Sequence, residues 1–290
     1  MSSKRILIFS LSFSPLVGGA EVAIKEITDR IPDIEFDMVT LRFDKAHPKF
    51  ERIGSVNVYR IGGLPAQAGG LGYLSKILFV PQAAAFAFSR QYDLYWAMMT
   101  YMLFPIVVAR IIGNKTPYVL TLQDGDPFER VFNRWFILPF RPLLSFGMRN
   151  AQKVQAISTF LAKWSGREDA LVIPNGVDWE KFQNPKPRAR NSDEIILITT
   201  SRLTEKNGIG DLVEAMKFLP DNFKLHIIGS GPLESKLKRH SKMLNLESRI
   251  RFVGEVPHHD ISKYLHAAGI FVRPSLSEGM GNSFIEAMAA

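Results

Sequence analysis

The fold of this chain is decided near its start, where residues 5–12 read RILIFSLS and residues 20–31 read AEVAIKEITDRI, just after Gly18 and Gly19. The first segment is a continuous apolar run of strand length, and the second repeats apolar residues at helical spacing. The glycine pair between them is typical of a turn. The stretch therefore predicts a strand, a glycine loop and a helix in direct succession.

The same alternation of strand and helix continues along the first half of the chain. Strand-like segments, with helical stretches between several of them, lie at 36–41, 56–61, 93–98, 118–123, 153–158 and 170–174. Strands separated by helices favour a parallel sheet that is covered on both faces. Residues 1–183 are therefore predicted to form one doubly wound α/β domain.

A segment rich in proline and charge interrupts this pattern at 184–194, NPKPRARNSDE, and is predicted to be a linker. The alternation then restarts, with a last helix beginning near Ser283 and strands predicted at 195–201, 223–229, 250–254 and 270–275. Residues 195–290 should therefore form a second doubly wound domain. Ligands of such sheets bind beyond the carboxyl ends of the strands, so we expect the site in the cleft between the two halves.

Composition excludes several classes of function. The chain has 290 residues, a formal net charge of +8 and no cysteine. The absence of cysteine rules out disulfides, thiolate zinc sites and cysteine nucleophiles. The positive charge permits an anionic partner, although nothing in the sequence points to nucleic acid. The first residues lack the features of a signal peptide, which predicts a cytoplasmic protein.

The longest apolar segment, 73–89, carries Lys76 and a mid-segment Pro81. It is shorter than the ~20 apolar residues of a membrane-spanning helix. We therefore expect a buried or surface-lying helix there.

Two glycine-containing loops resemble phosphate-binding motifs. Gly18 and Gly19 stand before a helix N-terminus, where backbone N–H groups favour an anion, although a tight turn explains them equally well. The stretch 226–237 places Gly229 and Gly231 as a dinucleotide motif does, but Glu234 fills the third glycine position. This mismatch argues against a nicotinamide cofactor.

The segment 198–208, ITTSRLTEKNG, puts Arg202 and Lys206 just beyond a predicted strand. An arginine that grips two oxygens beside a compact lysine charge suits a diphosphate. The alternative is a solvated basic pair on an exposed turn.

The closing stretch, 275–290, reads SLSEGMGNSFIEAMAA and holds Glu278 in a glycine-rich turn and Glu286 in the following helix. Carboxylates accept hydrogen bonds from hydroxyls, so each glutamate could hold a polyol group, with loop N–H groups binding an anion between them. For Glu286 the alternative is helix stability alone, because Ser283 and Glu286 have capping-box spacing.

Six stretches carry a family resemblance: GGAE (18–21), IPNGVD (173–178), SRLTEKNG (201–208), IIGSGP (227–232), FVGEVP (252–257) and PSLSEGMGNSFIEAMA (274–289). In this order, the set resembles retaining glycosyltransferases of family 4. That family has the GT-B fold, in which two Rossmann-like domains face a cleft. The resemblance implies that the N-terminal domain is the acceptor side and that the C-terminal domain binds a nucleotide sugar.

The resemblance also assigns roles to individual residues. It implies that Arg202 and Lys206 hold the donor diphosphate and that Glu286 binds the ribose hydroxyls. Glu278 would contact the transferred sugar together with the backbone of Gly279, Met280, Gly281 and Asn282. Gly18 and Gly19 would lie against the donor from the opposite domain. The two cations would stabilise the leaving group, so no metal ion or other cofactor is expected.

The chain departs from the family pattern at a position where members commonly carry a histidine. Here the stretch reads YVLTLQDGDPF, and Gln123 takes that place. Gln123, Asp124 and Asp126 join Glu278 as candidate catalytic residues that position donor or acceptor. For the two aspartates the alternative is that they cap the next helix or shape the turn.

A second departure lies at the end of the chain. Family members usually continue by several tens of residues beyond the second glutamate. We therefore expect a C-terminally truncated chain whose second domain is incomplete and which self-associates or is poorly stable alone.

Residues 130–167 combine aromatic side chains with seven Arg or Lys residues and contain no Asp or Glu. Such a surface suits an acidic membrane and a lipid-linked acceptor, with the protein peripheral to the inner face of the membrane. The alternative is that the aromatics form the packing face of a helix.

The leading hypothesis is an enzyme that transfers a sugar, with retention, from a nucleotide-diphosphate donor to a glycan or lipid-linked acceptor. Two alternatives stay open. One is a non-catalytic nucleotide-sugar-binding fragment, and the other is a nucleotide-sugar epimerase of the same fold.

Overall fold

The computed structural model describes residues 3–16, 18–62, 70–183 and 193–290. The chain forms two compact units, Met1–Asn175 and Gly176–Ala290. Each unit is an α/β structure built on its own sheet.

The first unit contains an eight-stranded sheet of order β3-β4-β2-β1-β5-β6-β7-β8. Its strands are β1 Lys4–Phe9, β2 Ile34–Leu41, β3 Phe50–Ile53, β4 Val56–Ile61, β5 Leu94–Met98, β6 Tyr118–Leu122, β7 Lys153–Ala156 and β8 Leu171–Val172. All neighbours pair in parallel except β3, which runs antiparallel to β4. The sequence did not predict β3, because its four residues are a partly exposed edge without an apolar run.

The helices of the first unit cover this sheet, and they are α1 Gly19–Thr28, α2 Gly70–Phe88, α3 Leu103–Ile111, α4 Phe128–Phe132, α5 Arg141–Asn150 and α6 Thr159–Ala162. Helix α1 packs Ala20 and Ile24 against buried side chains of the sheet, including Met38 of β2. Strand β2 is buried over its last six residues, as expected for a strand covered on both faces.

The apolar segment predicted to be a helix is α2, which contains Pro81. It buries Phe79 and Ala83 and turns other apolar side chains outward. None of the helices over the described ranges combines the length and apolar composition that a membrane crossing demands.

The second unit contains a parallel four-stranded sheet of order β11-β10-β9-β12. Its strands are β9 Ile195–Thr200, β10 Phe223–Ile228, β11 Ile250–Gly254 and β12 Ile270–Phe271, and its helices are α7 Trp179–Phe182, α8 Ile209–Ala215, α9 Glu234–Met243, α10 Ile261–Ala267 and α11 Asn282–Ala289. Leu197 of β9 packs into one apolar cluster and Ile198 into another. Because successive residues of a strand point to opposite faces, helices cover both faces of this sheet.

The two compact units divide before the predicted linker begins. Helix α7 belongs to the second unit, because Phe182 is buried beside Ile198 and its carbonyl oxygen contacts Nε2 of His266 at 2.7 Å. Residues 176–183 therefore pack with the second sheet, although the sequence assigns them to the N-terminal domain. Of the predicted linker, residues 184–192 lie outside the described part of the chain.

Each sheet has a point at which the order of its strands reverses. In the second unit the chain runs from β9 to β10 and β11, and then returns to place β12 on the other side of β9. In the first unit the corresponding neighbours are β1 and β5. Ligands of open α/β sheets bind outside the carboxyl ends of the strands at such points.

Candidate functional site

The loops after β9 and β12 meet at the reversal point of the second sheet. The Leu276 N–H donates to the Lys206 carbonyl oxygen at 2.8 Å. Gly208 has φ +65°, and a Cβ there would stand 2.0 Å from the Pro274 carbonyl oxygen. Glycine is therefore required at 208, both for the backbone conformation and for the close approach of the two loops.

The loop after β10 packs on the same place. Gly229 has φ +121°, and a Cβ there would lie 2.1 Å from the Ser201 carbonyl oxygen. The Leu203 N–H donates to the Ser230 carbonyl oxygen at 2.8 Å, and the Ser230 hydroxyl bonds to the Glu255 carboxylate beyond β11. The glycines that resemble a dinucleotide motif thus allow close loop packing, and the loops after all four strands form one connected structure.

The two predicted diphosphate ligands lie in the loop after β9. Arg202 is exposed, and its carbonyl oxygen accepts from the Asn207 side-chain amide at 2.5 Å, which holds the loop backbone. Lys206 is half-buried in the 3-10 helix Glu205–Asn207. Over the described residues, the buried hydroxyls of Ser201 and Thr204 have no hydrogen-bond partner, so the polar groups of this loop are not all satisfied within the fold.

Glu278 is held by a residue that the sequence did not single out. The Arg273 Nη2 donates to Glu278 Oε2 at 2.6 Å, and both side chains are largely buried. Burial lowers the pKa of Arg273, while the negative charges of Glu278 and Glu286 oppose this shift. The only sequence signal was an arginine near the end of a predicted strand, shortly before an acidic turn.

Glu286 is buried in α11 and contacts His258. Its Oε1 lies 2.8 Å from the His258 Nε2. The capping-box alternative is wrong in its geometry, because the N-cap of α11 is Gly281 and Ser283 lies inside the helix, where its hydroxyl accepts from Arg273. The partner of Glu286 therefore comes from the segment after β11, at a position that sequence reasoning also missed.

The predicted backbone ligands connect the two glutamates. Gly279 and Met280 are half-buried, and Asn282 opens α11. A Cβ on Gly281 would lie 3.0 Å from the Arg273 Nη1. The turn therefore wraps around the arginine that holds Glu278, and it leads directly into the helix that carries Glu286.

In the first unit, a carboxylate of the protein itself lies beside the glycine loop. Gly18 is the N-cap of α1 and makes no side-chain cap. The Glu21 carboxylate accepts from the Ser12 hydroxyl at 2.5 Å, and a Cβ on Gly18 would lie 2.6 Å from its other oxygen. An anionic ligand that approached Gly18 would meet this negative charge, while Gly19 is the first residue of the helix.

The loop after β6 holds the other predicted residues of the first unit. The Gln123 side-chain amide donates to the Asn175 Oδ1 at 2.8 Å. Asp126 is half-buried and precedes α4, whose N-cap is Pro127, so neither aspartate occupies the N-cap position that one alternative gave them.

Asp124 is buried and shapes the neighbouring turn. Its Oδ2 accepts from the Thr100 N–H at 3.2 Å and from the Thr100 hydroxyl at 2.9 Å. Burial raises the pKa of Asp124 to about 6, although the Thr100 hydrogen bonds oppose the shift. Thr100 follows Met99, whose φ of +72° is uncommon for a residue other than glycine. Asp124 therefore holds a strained turn at the end of β5.

Comparison with known families assigns the chain to a group of enzymes. A family model described as "Glycosyltransferase Family 4" matches residues 17–181, and one described as "Glycosyl transferases group 1" matches residues 180–290. The chain belongs to glycosyltransferase family 4. Over the described residues, no group of three or more His, Cys, Asp or Glu side chains is arranged to hold a metal ion.

Curated proteins resemble the chain to different extents. A Bacillus subtilis protein named putative teichuronic acid biosynthesis glycosyltransferase TuaC is 33% identical over 186 residues, which are 60% of this chain and 45% of that protein. The alpha-monoglucosyldiacylglycerol synthase of Acholeplasma laidlawii is 22% identical over 314 aligned positions, which cover 99% of this chain and 78% of that protein. The match therefore spans less than half of the first relative.

Solved structures of other proteins share the fold. Sucrose-phosphate synthase from Thermosynechococcus elongatus matches with a TM-score of 0.79 and 23% identity over 98% of this chain and 79% of that protein. Anabaena Alr3699/HepE, determined in complex with UDP and glucose, matches with a TM-score of 0.74 and 24% identity over 99% and 78%. These similarities confirm the predicted GT-B fold, and at such identities they show the fold alone.

Proposed function

We propose that this chain carries the donor site of a retaining glycosyltransferase that moves a sugar from a nucleotide-diphosphate sugar to a glycan or lipid-linked acceptor. The observation that carries the proposal is the meeting of the loops after β9 and β12 at the reversal point of the second sheet. Those loops bring Arg202 and Lys206 together with the loop of Glu278. Two cations and a fixed carboxylate in one place suit a diphosphate joined to a sugar.

Each charged residue of the site binds a different part of the donor. Arg202 and Lys206 bind the diphosphate and stabilise the negative charge that develops on it when the glycosidic bond breaks, so no metal ion is needed. Glu286 accepts hydrogen bonds from the ribose hydroxyls, and Glu278 accepts from hydroxyls of the transferred sugar. Both carboxylates are held by neighbouring cationic or imidazole groups, which orients them before the ligand arrives.

Retention follows if the acceptor attacks from the face that the nucleotide leaves. The bond between the sugar anomeric carbon and the phosphate oxygen breaks, and a bond forms from that carbon to the acceptor oxygen. The acceptor proton passes to the departing phosphate. Atoms and charge balance without a protein nucleophile, so the residues of this chain bind, orient and neutralise.

Titration calorimetry with UDP-, GDP- and ADP-sugars tests the donor, beginning with UDP-glucose because HepE was determined with UDP and glucose. We expect one of these sugars to bind and the product to keep the donor's anomeric configuration by NMR. Binding without turnover favours the binding fragment, and an epimerised donor favours the epimerase. If none of the three classes binds, the proposal is wrong.

We further propose that the first unit binds an acidic membrane through an aromatic and basic surface. Four apolar side chains of α2 face outward, at Tyr73, Leu74, Ile77 and Leu78. The Tyr73 ring lies 6.3 Å from that of Phe136, which in turn lies 5.6 Å from the ring of Trp135. The α2 face and the segment after α4 therefore form one continuous surface.

The alternative interpretation of the aromatics holds for some of them only. Phe132 is buried beside Trp164, and Leu144 of α5 is buried as well. Trp135 is 82% exposed, and Phe140 and Phe146 are also exposed. The segment therefore has an inward packing face and an outward aromatic face.

Charge favours an anionic lipid surface over a protein partner. Residues 130–150 contain four arginines and no Asp or Glu. Arginine and tryptophan around exposed aliphatic side chains suit the headgroup region of a bilayer, where each basic residue contributes about 1 kcal/mol. A lipid-linked acceptor would be consistent with this surface, as the name of the Acholeplasma synthase suggests for that protein.

Flotation with vesicles of phosphatidylglycerol and phosphatidylcholine tests this surface. We expect binding at ~0.1 M salt that weakens at higher salt because the Debye length shortens. Trp135→Glu should abolish it. Phe218→Glu in the second unit is the matched control, because Phe218 is also 82% exposed. Absence of wild-type binding, or equal loss in both variants, would contradict the proposal.

A further inference from the structure

Arg273 makes more contacts inside the folded loops than its neighbours in sequence suggest. Its guanidinium donates to Glu278 Oε2 at 2.6 Å, to the Ser275 hydroxyl at 3.2 Å, to the Ser283 hydroxyl and to the Thr200 carbonyl oxygen at 3.5 Å. It also lies 5.7 Å from the centre of the Phe284 ring. A single side chain therefore joins β9, the Glu278 turn and the first turn of α11.

The contact uses only one of the two carboxylate oxygens of Glu278. Arg273 donates to Oε2, and within the described part of the chain Oε1 has no hydrogen-bond partner. An ionised carboxylate that is fixed at one oxygen has a defined direction for the other. The oxygen left to accept a ligand hydroxyl is therefore Oε1.

We propose that Arg273 is a positioning residue that fixes Glu278 and leaves Oε1 to accept a hydroxyl of the donor sugar. The inference rests on the proposed function and adds to it the residue that selects the sugar-binding oxygen. Arg273 also supplies positive charge beside two carboxylates that would otherwise repel the donor diphosphate. It acts through Glu278 and does not itself bind the sugar.

The geometry explains why arginine stands at this position. Its planar group presents several N–H donors in a fixed fork, and here they reach a carboxylate, two hydroxyls and a carbonyl oxygen. Lysine keeps the charge but lacks the fork, so it would hold Glu278 without fixing its orientation. Arginine and lysine at position 273 should therefore differ in their effect on sugar recognition.

The test compares the affinities of wild-type and variant chains for UDP and for UDP-glucose, with the GDP and ADP pairs run in parallel. The dissociation constant for UDP divided by that for UDP-glucose isolates the contribution of the sugar, and we call it the affinity ratio. We expect Arg273→Gln to reduce this ratio about tenfold, the size of one charge-assisted hydrogen bond, and to leave UDP binding within about twofold. Arg273→Lys should give an intermediate ratio.

A largely buried arginine at the other end of the same sheet supplies the control. Arg249, just before β11, donates to the carbonyl oxygens of Leu219 and Pro220 and to that of Phe223, the first residue of β10. Arg249→Gln should lower stability and leave the affinity ratio unchanged. If Arg273→Gln weakens UDP and UDP-glucose equally, or leaves both unchanged, Arg273 has only a structural role and the inference is wrong.

A second variant keeps the inference testable if Arg273→Gln does not fold. Glu278→Gln retains an oxygen that accepts from Arg273 and loses the negative charge, so it should lower the same ratio. Adding Arg273→Lys to that variant should produce no further loss, because both residues act through one contact. Additive losses would contradict the inference, whereas a wild-type chain that binds no nucleotide sugar would contradict the proposed function itself.

Discussion

The two sheets both carry polar residues beyond the carboxyl ends of their strands, but they hold them with different chemistry. In the second unit the partners are charged or titratable, as in Arg273 with Glu278 and His258 with Glu286. In the first unit the partners are neutral, since Gln123 contacts Asn175 and Asp124 accepts from Thr100. Topology thus sets the place of a site, and the local partners set its charge.

The largest effect should come from the backbone packing that the charged loops require. Gly208→Ala forces a side chain against the Pro274 carbonyl oxygen at a left-handed position, which should cost about 3–5 kcal/mol of the free energy of unfolding. Urea denaturation measures it. Gly166→Ala is the matched control, because Gly166 also follows a short 3-10 helix with φ +62° but has nothing within 4 Å. The control should lose about 1–2 kcal/mol. Equal losses would show that the loops do not pack as tightly as described.

The next effect tests the cations of the charged site. Arg202→Ala should lower kcat/KM for the donor by about 100-fold to 1,000-fold, or about 3–4 kcal/mol, because the developing diphosphate charge loses a donor. Steady-state kinetics with the donor identified by calorimetry measures it. Arg239→Ala, at an exposed position of α9, removes the same side chain elsewhere in the second unit and should change little. A comparable loss of kcat/KM in the control would show that the effect comes from the overall charge of the protein and not from a specific site at Arg202.

A smaller effect distinguishes the buried aspartate of the neutral site. Because the pKa of Asp124 in the folded protein is raised to about 6 from 3.8, its stabilising contribution is present below pH 3.8 and lost as the pH rises through 6. The free energy of unfolding of Asp124→Asn, relative to that of the wild type, should therefore rise by on the order of 2–3 kcal/mol between pH 4 and pH 7. Denaturation at the two pH values measures this. A pH-independent difference between Asp124→Asn and the wild type would contradict the interpretation.

The smallest effect concerns the residue that replaces the family histidine. Gln123→His should change kcat/KM by less than about fivefold near pH 8, where imidazole is neutral and still donates one hydrogen bond. Below about pH 6.5 the variant would gain a positive charge and a pH dependence that the wild type lacks at this position. A pH–rate profile of both proteins measures it. Coincident profiles would show that position 123 does not contact the reacting groups.

Much of the fold followed from sequence because its signals are local. Apolar runs and helical spacing predicted the strands on which both sheets are built, including the short β8 and β12. Strand β3 was not predicted because an exposed edge strand has no apolar pattern. It is defined by its pairing with β4, which exists only in the folded chain. The division between the units also differed, since α7 follows the second sheet through the contacts of Phe182.

The candidate site was predicted less completely than the fold. Arg202, Lys206, Glu278 and Glu286 were chosen from motif and resemblance, and their roles stay predictions. Arg273 and His258 were missed because their partners are not related to them by a regular spacing. Arg273 contacts Glu278, five positions later in an irregular loop, and His258 contacts Glu286, 28 positions later in α11. No periodic pattern relates residues across such loops.

The sequence by itself determined the alternation of strands and helices, the two domains and the motifs that identify the family, because each depends on neighbouring residues. Only the tertiary structure decided which charges pair, which oxygen of Glu278 is left open and where Gly208 allows two loops to touch. Those properties depend on distances between segments that are remote in the chain. They exist only when the loops at the carboxyl ends of the strands are folded against one another.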